Sequence, residues 1–394
     1  MEVKKYKMKD IVTFLNGRAY LMPELQEKGK YRILRVGNLS GGNDSWFYSD
    51  MELDENKYCK KGDLLYAWAC SFGPHIWKEE KVIFHYHIWK LIENKDRVDK
   101  IYLYYYLLHQ TPFYLGGVNG ATMVHITKQN MEKKTVYIPS SLPIQQKIAS
   151  ILSTYDTLIE NNYRRIRLLE QMAENLYKEW FVRFRFPGHE KVETENGLPK
   201  GWKIKRIADF GRIETGKTPP MSNQELYGGD ILFVKTPDMH EKMFVSSTSE
   251  TLSQEGNNYQ LTKLLPVNSI MVSCIGTAGV VSINAKSAHT NQQINSIILN
   301  NLEDLEWLYY VCRQLKPTIE LFGATGATMT NLSKSKFEKL KIVVPKVDIR
   351  NSFHKRIRPY FKDIFTLEQQ NILLTRQRDL LLPRLMSGKL EVKP

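Results

Sequence analysis

The stretch IQQKIASILSTYDTLIENNYRRIRLLEQMAENLYKEWF, residues 144–181, predicts one long helix with a seam for a partner helix. Its apolar residues recur in alternating steps of three and four, which is the heptad repeat of a coiled coil. At about 1.5 Å per residue, about 35 such residues extend about 50 Å. The predicted seam positions are Ile148, Leu152, Tyr155, Ile159, Asn162, Ile166, Leu169, Ala173, Leu176 and Trp180.

The end of the chain repeats this pattern 205 residues later, at Ile357, Tyr360, Ile364, Leu367, Asn371, Leu374, Arg378, Leu381 and Leu385. A strict period of 3.5 residues keeps the stripe facing a partner helix, so we expect the two helices to pack on each other in antiparallel fashion. The alternative is an ordinary amphipathic helix on a domain core. A buried Asn in such a seam costs stability and can fix the register. Asn162 and Asn371 are therefore predicted to lie close together and to set the register.

The segments before the two helices are also repeated. NGATMVHITKQNMEKKTVYIP, residues 119–139, aligns without a gap with TGATMTNLSKSKFEKLKIVVP, residues 325–345. The same offset of 206 places GDLLYA over NSIMVS, and each run is typical of a strand. In each half a short aromatic helix follows, at residues 101–110 or 305–315, and then a strand at 135–138 or 341–344. We therefore expect an α+β chain with two tandem domains, each β-rich with short helices, and an antiparallel coiled coil with approximate two-fold symmetry.

A Pro- and Gly-rich polar stretch, RFPGHEKVETENGLPKGW, separates the halves and is typical of a linker. The expected divisions are a first domain at residues 1–142, a central long helix at 143–184, a linker at 185–200, a second domain at 201–346, and a C-terminal helix with its tail at 347–394.

The chain is basic, with 56 Lys and Arg against 42 Asp and Glu and a formal charge of +14 over 394 residues. This balance favours a polyanionic partner such as nucleic acid, although a generic basic surface or attraction to anionic lipid gives the same count. The four cysteines form no C-x-x-C pair, so neither zinc nor a disulfide framework is indicated. The charged start does not resemble a signal peptide, and no stretch is apolar enough to span a bilayer. We expect a cytoplasmic protein.

The stretch GRIETGKTPP, beginning at Gly211, matches the phosphate-loop pattern G-x-x-x-x-G-K-[ST]. A true phosphate loop opens a helix whose N-terminus holds the phosphates. Here two prolines follow Thr218, and the first of them favours an extended conformation for that residue. The corresponding stretch of the first half keeps only a Gly and a cation, Gly17-Arg18. We interpret both as turns that present Arg18 or Lys217 for phosphate or base contact, or as plain solvated turns.

No other catalytic pattern is present in the sequence. The motif [DNS]-P-P-[YFW] of amino-methyltransferases and the Gly-rich dinucleotide fingerprint are both missing. His85 and His87 could provide two metal ligands, but no third ligand is evident, and their counterparts Asn291 and Gln293 would not hold a metal. No metal and no cofactor are expected in this chain.

Together these features resemble the specificity subunit of type I restriction–modification systems. The resemblance covers essentially the whole chain. It rests on the duplicated order and on GKTP (216–219), YGGDI (227–231), KTPD (235–238), GATGAT (323–328) and the closing LLLPRLMSGK (380–389).

The resemblance implies a non-catalytic subunit that binds a split sequence in double-stranded DNA, one half per recognition domain. Two modification subunits would dock on it and methylate adenine with S-adenosylmethionine, and two restriction subunits would add ATP- and magnesium-dependent translocation and cleavage. Three alternatives remain at this point. They are a stand-alone architectural nucleic-acid-binding protein with tandem recognition modules, an adaptor that grips protein, and a nucleotide-dependent enzyme.

Because the family reads bases from loops of its recognition domains, polar and aromatic loop residues are the candidates for DNA contact. Arg can hold guanine in a bidentate grip, and Asn or Gln can hold adenine. For any one candidate, a role in loop structure or phosphate contact is the alternative. The side chains at residues 85–87 differ from those at 291–293, which predicts two different half-sites. The candidates are Arg18, Tyr20, Arg35, Asn38, Ser71, His75, His87 and Thr122 in the first half, and Lys217, Thr218, Lys235, Thr236, Thr277, Gln292, Thr325 and Thr328 in the second.

Overall fold

The computed structural model describes residues 2–39, 45–115, 126–324 and 330–393. The chain forms two compact units, one made of Met1–Ile159 with Leu373–Pro394 and the other of Glu160–Ile372. Each unit therefore holds one β-rich domain together with a segment of each long helix. This division crosses the two long helices within their length.

The first unit is built on two four-stranded sheets. We call the antiparallel one the core sheet; its order is Val12–Asn16, Ile88–Glu93, Leu64–Ala67 and Gly73–Ile76. The companion sheet has the order Phe47–Ser49, Tyr31–Leu34, Val82–Phe84 and Tyr58–Cys59, and its two central strands are parallel. A separate antiparallel pair joins Val3–Lys7 to Thr135–Pro139.

The aromatic helix Lys100–Leu115 covers the core sheet of the first unit. Its residues Tyr102 and Leu103 share one apolar cluster with Tyr66 and Trp89 of the sheet. Burying each such side chain contributes about 1.5–3 kcal/mol, so this layer stabilises the domain. The other helical segments are Met8–Ile11, Met22–Glu24, Val36–Leu39, Glu55–Lys57 and Lys128–Lys133.

The second unit repeats this plan. Its core sheet has the order Gly211–Thr215, Ile294–Leu299, Ile270–Ser273, Val281–Asn284 and Phe244–Val245. Its companion sheet has the order Glu250–Leu252, Tyr227–Val234 and Ala288–Thr290. The shorter pairs are Lys203–Arg206 with Lys341–Val344, Ile275–Gly276 with Thr330–Asn331, and Thr194–Glu195 with Leu198–Pro199. The helical segments are His189–Lys191, Ile207–Phe210, Gln224–Leu226, Thr236–Met239, Gln254–Tyr259, Leu261–Lys263, Leu302–Asp304, Leu305–Gln314, Lys316–Gly323 and Lys334–Glu338.

The sequence repeat is a repeat of strand order and pairing. Three strands of the first unit recur exactly 206 residues later as Ile270–Ser273, Ala288–Thr290 and Ile294–Leu299. The parallel pair in the companion sheet recurs as Tyr227–Val234 with Ala288–Thr290. The predicted α+β class with two similar β-rich domains is confirmed.

The two long helices are Leu142–Tyr177, which continues as a π-helical turn over Lys178–Val182, and Val347–Met386. In the second unit, Asn162 lies against Asn371 while the ring of Tyr177 lies 6.3 Å from that of Phe353. The segments therefore run antiparallel, as predicted. Despite their length, no helix in the described ranges is apolar enough to cross a membrane.

The seam has a different polar contact in each unit. In the second unit, the Asn162 Nδ2 donates to Asn371 Oδ1 at 2.9 Å, and both side chains are buried. The expected proximity is therefore present, and the role of the pair in setting the register stays a prediction. In the first unit, the seam residue Arg378 donates from Nη1 to Asp156 Oδ1 at 2.6 Å, and the Tyr105 hydroxyl donates to the other oxygen of that carboxylate. This carboxylate compensates the charge that Arg378 brings into the seam.

Candidate nucleic-acid interface

In each unit a Gly–cation turn follows the first strand of the core sheet. In the first unit it is Gly17-Arg18, where the Gly17 N–H donates to the Ile88 carbonyl at 3.3 Å and the Arg18 N–H to the Phe84 carbonyl at 3.1 Å. A Cβ on Gly17 would lie 2.3 Å from the His85 carbonyl oxygen. Only glycine allows the backbone to pass this close, and the close passage fixes the position of Arg18.

The second unit makes the same contacts. The Gly216 N–H donates to the Ile294 carbonyl at 3.3 Å and the Lys217 N–H to the Thr290 carbonyl at 3.0 Å. A Cβ on Gly216 would lie 2.1 Å from the Thr290 carbonyl oxygen. Residues 216–220 form no helix, and the next helical segment is the short 3₁₀ turn Gln224–Leu226. This stretch therefore lacks the helix N-terminus on which a phosphate loop depends.

A second cation stands at the end of the long strand of each companion sheet. The Arg35 N–H donates to Asn38 Oδ1 at 3.0 Å, and the Lys235 N–H donates to Asp238 Oδ2 at 2.9 Å. These equivalent caps fix the two strand-end cations, Arg35 and Lys235, where the chain turns. The Asn38 amide also donates to the Ser45 carbonyl at 3.1 Å. Asn38 thus holds the loop with both ends of its amide, which is the structural alternative to base contact.

Beside these cations each unit has a tip turn, which we define as residues 85–87 in the first unit and 291–293 in the second. The His85 N–H donates to the Leu34 carbonyl at 2.9 Å, and the Asn291 N–H donates to the Val234 carbonyl at 3.1 Å. The tip turn therefore lies beside the residue that precedes the strand-end cation. The Gly–cation turn, the strand-end cation and the tip turn meet in each unit through matching backbone contacts.

The cations of the first unit already have partners. Arg18 Nη2 lies 2.7 Å from Glu24 Oε1, and this ion pair holds the pKa of Glu24 below its usual range. The Arg18 guanidinium also lies 5.3 Å from the ring centroid of Tyr20, whose ring is stacked near His85 at 6.4 Å. Arg35 lies 4.4 Å from the centre of the Phe47 ring. These contacts orient the guanidinium groups, of which that of Arg18 is partly exposed while Nε of Arg35 is buried.

The tip turn of the first unit carries neutral imidazoles at pH 7. Burial lowers the pKa of His85 to about 4, with His87 and Arg35 adding to the effect. Burial also lowers the pKa of His87. These rings therefore offer apolar contact and hydrogen bonds and do not add positive charge for a phosphate group.

The second unit surrounds its cations differently. The Lys217 ammonium lies 4.6 Å from the ring centroid of Tyr259, and the Lys235 ammonium lies 2.5 Å from Glu250 Oε1. The Thr218 hydroxyl donates to Gln292 Oε1 at 2.6 Å, which joins the Gly–cation turn to the tip turn. Thr236 is only 5% exposed at the start of the helix Thr236–Met239. Direct base contact by this hydroxyl would require the helix to move.

The remaining candidates lie farther along the chain. Ser71 and the exposed Thr277 lie in equivalent hairpin loops of the two core sheets. His75 pairs with Leu65 inside an edge strand, and burial lowers its pKa. Thr122, Thr325 and Thr328 lie outside the described residues.

Three aromatic residues near this interface are not among the candidates predicted from the sequence: Tyr86, Trp68 and Tyr259. Tyr86 is exposed at the tip turn, and its carbonyl accepts a hydrogen bond from Trp68 Nε1 at 2.8 Å. Its position between two histidines in HYH was a usable signal. The role of Tyr259 under Lys217 depends on a contact between distant segments and left no local signal. Within the described residues, no group of three or more His, Cys, Asp or Glu side chains could hold a metal.

Comparison with known proteins agrees with this geometry. A family model described as the type I restriction modification DNA specificity domain matches residues 1–171 and again residues 199–375. The HindI specificity subunit of Haemophilus influenzae is 32% identical, over 86% of this chain and 89% of the relative. The MjaIX specificity subunit of Methanocaldococcus jannaschii is 30% identical, over 76% of this chain and 71% of the relative.

A solved type I restriction–modification S subunit from M. genitalium shares the fold, with a TM-score of 0.63 and 15% identity over 98% of this chain and 96% of that one. The family model covers both halves of the chain, and two relatives are at least 30% identical over most of their length. The chain therefore belongs to the DNA specificity subunits of type I restriction–modification enzymes, which recognise a DNA sequence and are not catalytic themselves.

Proposed function

We propose that this chain reads an asymmetric two-part target in double-stranded DNA, with one half read by each recognition domain (residues 1–142 and 201–346). One observation carries the proposal. The two domains place a Gly–cation turn, a strand-end cation and a tip turn by the same backbone contacts, and the tip turns carry different side chains. Two domains that hold different side chains at the same position suit the recognition of two different half-sites.

The four cations of the interface supply the sequence-independent part of binding. Arg18, Arg35, Lys217 and Lys235 stand in loops of a chain with a net charge of +14. Contacts of such cations with phosphate release counterions and hold the protein in register on the duplex. An arginine among them can also read guanine.

The coiled coil would fix the distance between the half-sites. In this register the Asn162 Nδ2 donates to Asn371 Oδ1, and a shifted register would lose this buried hydrogen bond. We propose that the Asn162–Asn371 contact holds the helices in one register. The number of unread base pairs would then follow from helix length.

Two modification subunits would dock on similar surfaces of the two repeats. Leu168 is 54% exposed on the first long helix, and Leu373, at the equivalent position 205 residues later, is 58% exposed on the second. These equivalent exposed leucines offer one partner the same apolar contact on each repeat. These subunits would supply S-adenosylmethionine and adenine methylation, restriction subunits would supply ATP- and magnesium-dependent cleavage, and the assembly would act on DNA in the cytoplasm.

The test is to co-express the chain with its modification subunit and to map methylated adenines by sequencing. We expect a split motif with two unlike halves, and a purified complex with two modification subunits per chain. A continuous motif, or a split motif with identical halves, would contradict the proposal. Replacing residues 201–346 by the same domain of a relative should change one half of the motif only.

A further inference from the structure

We propose that Tyr86 is a specificity residue of the first recognition domain and that its ring contacts the C5-methyl group of a thymine in the half-site read by that domain. This inference rests on the proposed function, because it assigns a base contact to one of the two readers. Tyr86 lies at the tip turn and is 39% exposed.

The Tyr86 ring is held by its neighbours. Ring centroids lie 3.9 Å away at His87, 4.4 Å at His85 and 6.0 Å at Trp68. The backbone is also fixed, since the Tyr86 N–H donates to the Arg18 carbonyl at 3.0 Å and the Tyr86 carbonyl accepts from Trp68 Nε1 at 2.8 Å. An exposed aromatic ring that is already ordered loses little entropy when it meets a ligand.

The position of Tyr86 in the repeat indicates what it meets. The equivalent residue in the second domain, 206 positions later, is Gln292, an exposed amide beside a Gly–cation turn. An amide at this place can read adenine by hydrogen bonds. Because both tip turns are joined to cations by matching contacts, Tyr86 should reach the same depth in the major groove of the DNA as Gln292.

The chemistry around Tyr86 favours an apolar contact. Its imidazole neighbours are neutral at pH 7, since burial lowers the pKa of both His85 and His87. Tyr86 is exposed at the tip turn beside these neutral rings, which leaves its own ring for a base edge. On the floor of the major groove, the apolar group that distinguishes one base is the thymine methyl.

The test uses the full chain in complex with its modification subunit, after the target has been mapped. Each thymine of the first half-site is replaced in turn by deoxyuridine, which lacks only the methyl group. We expect the affinity of the wild-type complex to fall about fourfold at one position, the loss expected for one buried methyl group. Tyr86→Ala should bind the thymine and uracil duplexes equally, and Tyr86→Phe, which keeps the ring, should retain the preference.

The matched control is Gln292→Ala in the other domain, which should leave this thymine preference unchanged. A second measurement needs no variant. With 5-iododeoxyuridine at the sensitive position, irradiation of the wild-type complex should attach the DNA to Tyr86, as identified by mass spectrometry. This readout decides the matter if Tyr86→Ala does not fold.

Several results would overturn the inference while leaving the proposed function intact. They are a first half-site without thymine, equal binding of every uracil duplex by the wild-type complex, a preference that persists in Tyr86→Ala, and crosslinks that avoid Tyr86. By contrast, a complex that recognises no split target would contradict the proposed function itself.

Discussion

The two recognition domains share their backbone contacts and differ at the tip turn. In the first domain the turn is a group of rings, with His85, Tyr86 and His87 centroids 3.9–4.8 Å apart. In the second it is a group of amides, where Asn291 Nδ2 donates to Gln293 Oε1 at 3.0 Å and Gln292 accepts from Thr218. The contacts that the two turns share with the neighbouring strands come from backbone N–H and carbonyl groups.

This difference shows how one fold can present two sets of side chains at the same place. Backbone hydrogen bonds do not depend on the side chains at the tip, so those side chains can change while the turn stays in place. Glycine is the exception, because a Cβ at Gly17 or Gly216 would collide with a carbonyl of the neighbouring segment. The side chains at the tip are therefore free to vary, whereas Gly17 and Gly216 are not.

The largest expected effect comes from breaking the match between the two long helices. One heptad inserted within residues 160–174 lengthens one helix by about 10.5 Å, at about 1.5 Å per residue. We expect methylation of the original target to be lost, as measured by sequencing. The control inserts the same heptad within residues 359–373 as well, which restores the match and should give a target with a longer spacing. Methylation at the original spacing by the single insertion would contradict the role of the helices as a ruler.

The backbone passes so close to a neighbouring segment at Gly17 and Gly216 that neither position should tolerate a side chain. Gly17→Ala and Gly216→Ala should each lower the free energy of unfolding by about 1–3 kcal/mol or more, because the added Cβ must push backbone apart. Thermal or denaturant unfolding measures this. Gly62→Ala is the matched control, since its φ of +89° disfavours a side chain but no atom lies within 4 Å of the added Cβ. If Gly17→Ala lowers the free energy of unfolding no more than Gly62→Ala does, the backbone at Gly17 is not tightly packed.

The interface cations should differ in what they contribute. Arg18→Ala should weaken duplex binding by about 1–3 kcal/mol if it reads a base, whereas Lys217→Ala on phosphate should reduce the salt slope of binding by about 1. Methylation of purified DNA should fall in parallel in both variants. Titrations at several salt concentrations separate the two effects, and Lys286→Ala, which changes a lysine outside the interface, serves as the control. Unchanged methylation in both variants would remove these cations from the site.

The smallest expected effect concerns one carboxylate near the seam of the second unit. Burial raises the pKa of Glu368 to about 8, and the nearby Glu170 carboxylate adds to the effect. A raised carboxyl pKa means that stability is present below the unfolded pKa and is lost as pH rises towards 8. Glu368→Gln should therefore raise the free energy of unfolding at pH 8 by on the order of 1 kcal/mol after solvent screening. The melting temperature should rise at pH 8 and change little at pH 5. Asp363→Asn, which changes an exposed carboxylate of the same helix, is the control variant. An equal change in melting temperature at pH 5 and pH 8 in Glu368→Gln would contradict the prediction.

The prediction of the long helices succeeded because coiled-coil periodicity is a local property of the chain. The repeat is also a local property of the chain. It predicted aromatic helices at 101–110 and 305–315, and the structure has helices at Lys100–Leu115 and Leu305–Gln314. Spacing also identified the two seam asparagines, because each interrupts a regular apolar pattern.

Sequence reasoning was weaker at the interface, since the state of each side chain depends on contacts between distant segments. Nothing near Thr236 in the sequence indicates that it is 5% exposed, and nothing near Asn38 shows that its amide holds Ser45. The ion pair of Lys235 with Glu250 joins the residue after one strand to the neighbouring strand of the same sheet. Such contacts exist only after the strands have assembled.

The amino-acid sequence by itself determined the repeat, the two long helices and the basic character of this specificity subunit, because periodicity, duplication and charge can be read residue by residue. The tertiary structure alone decided which cations, rings and amides meet at each tip turn. Strand pairing brings together residues such as Gly17 and His85, or Thr218 and Gln292, that are far apart along the chain. Their distances and burial follow from that pairing, and local patterns do not contain it.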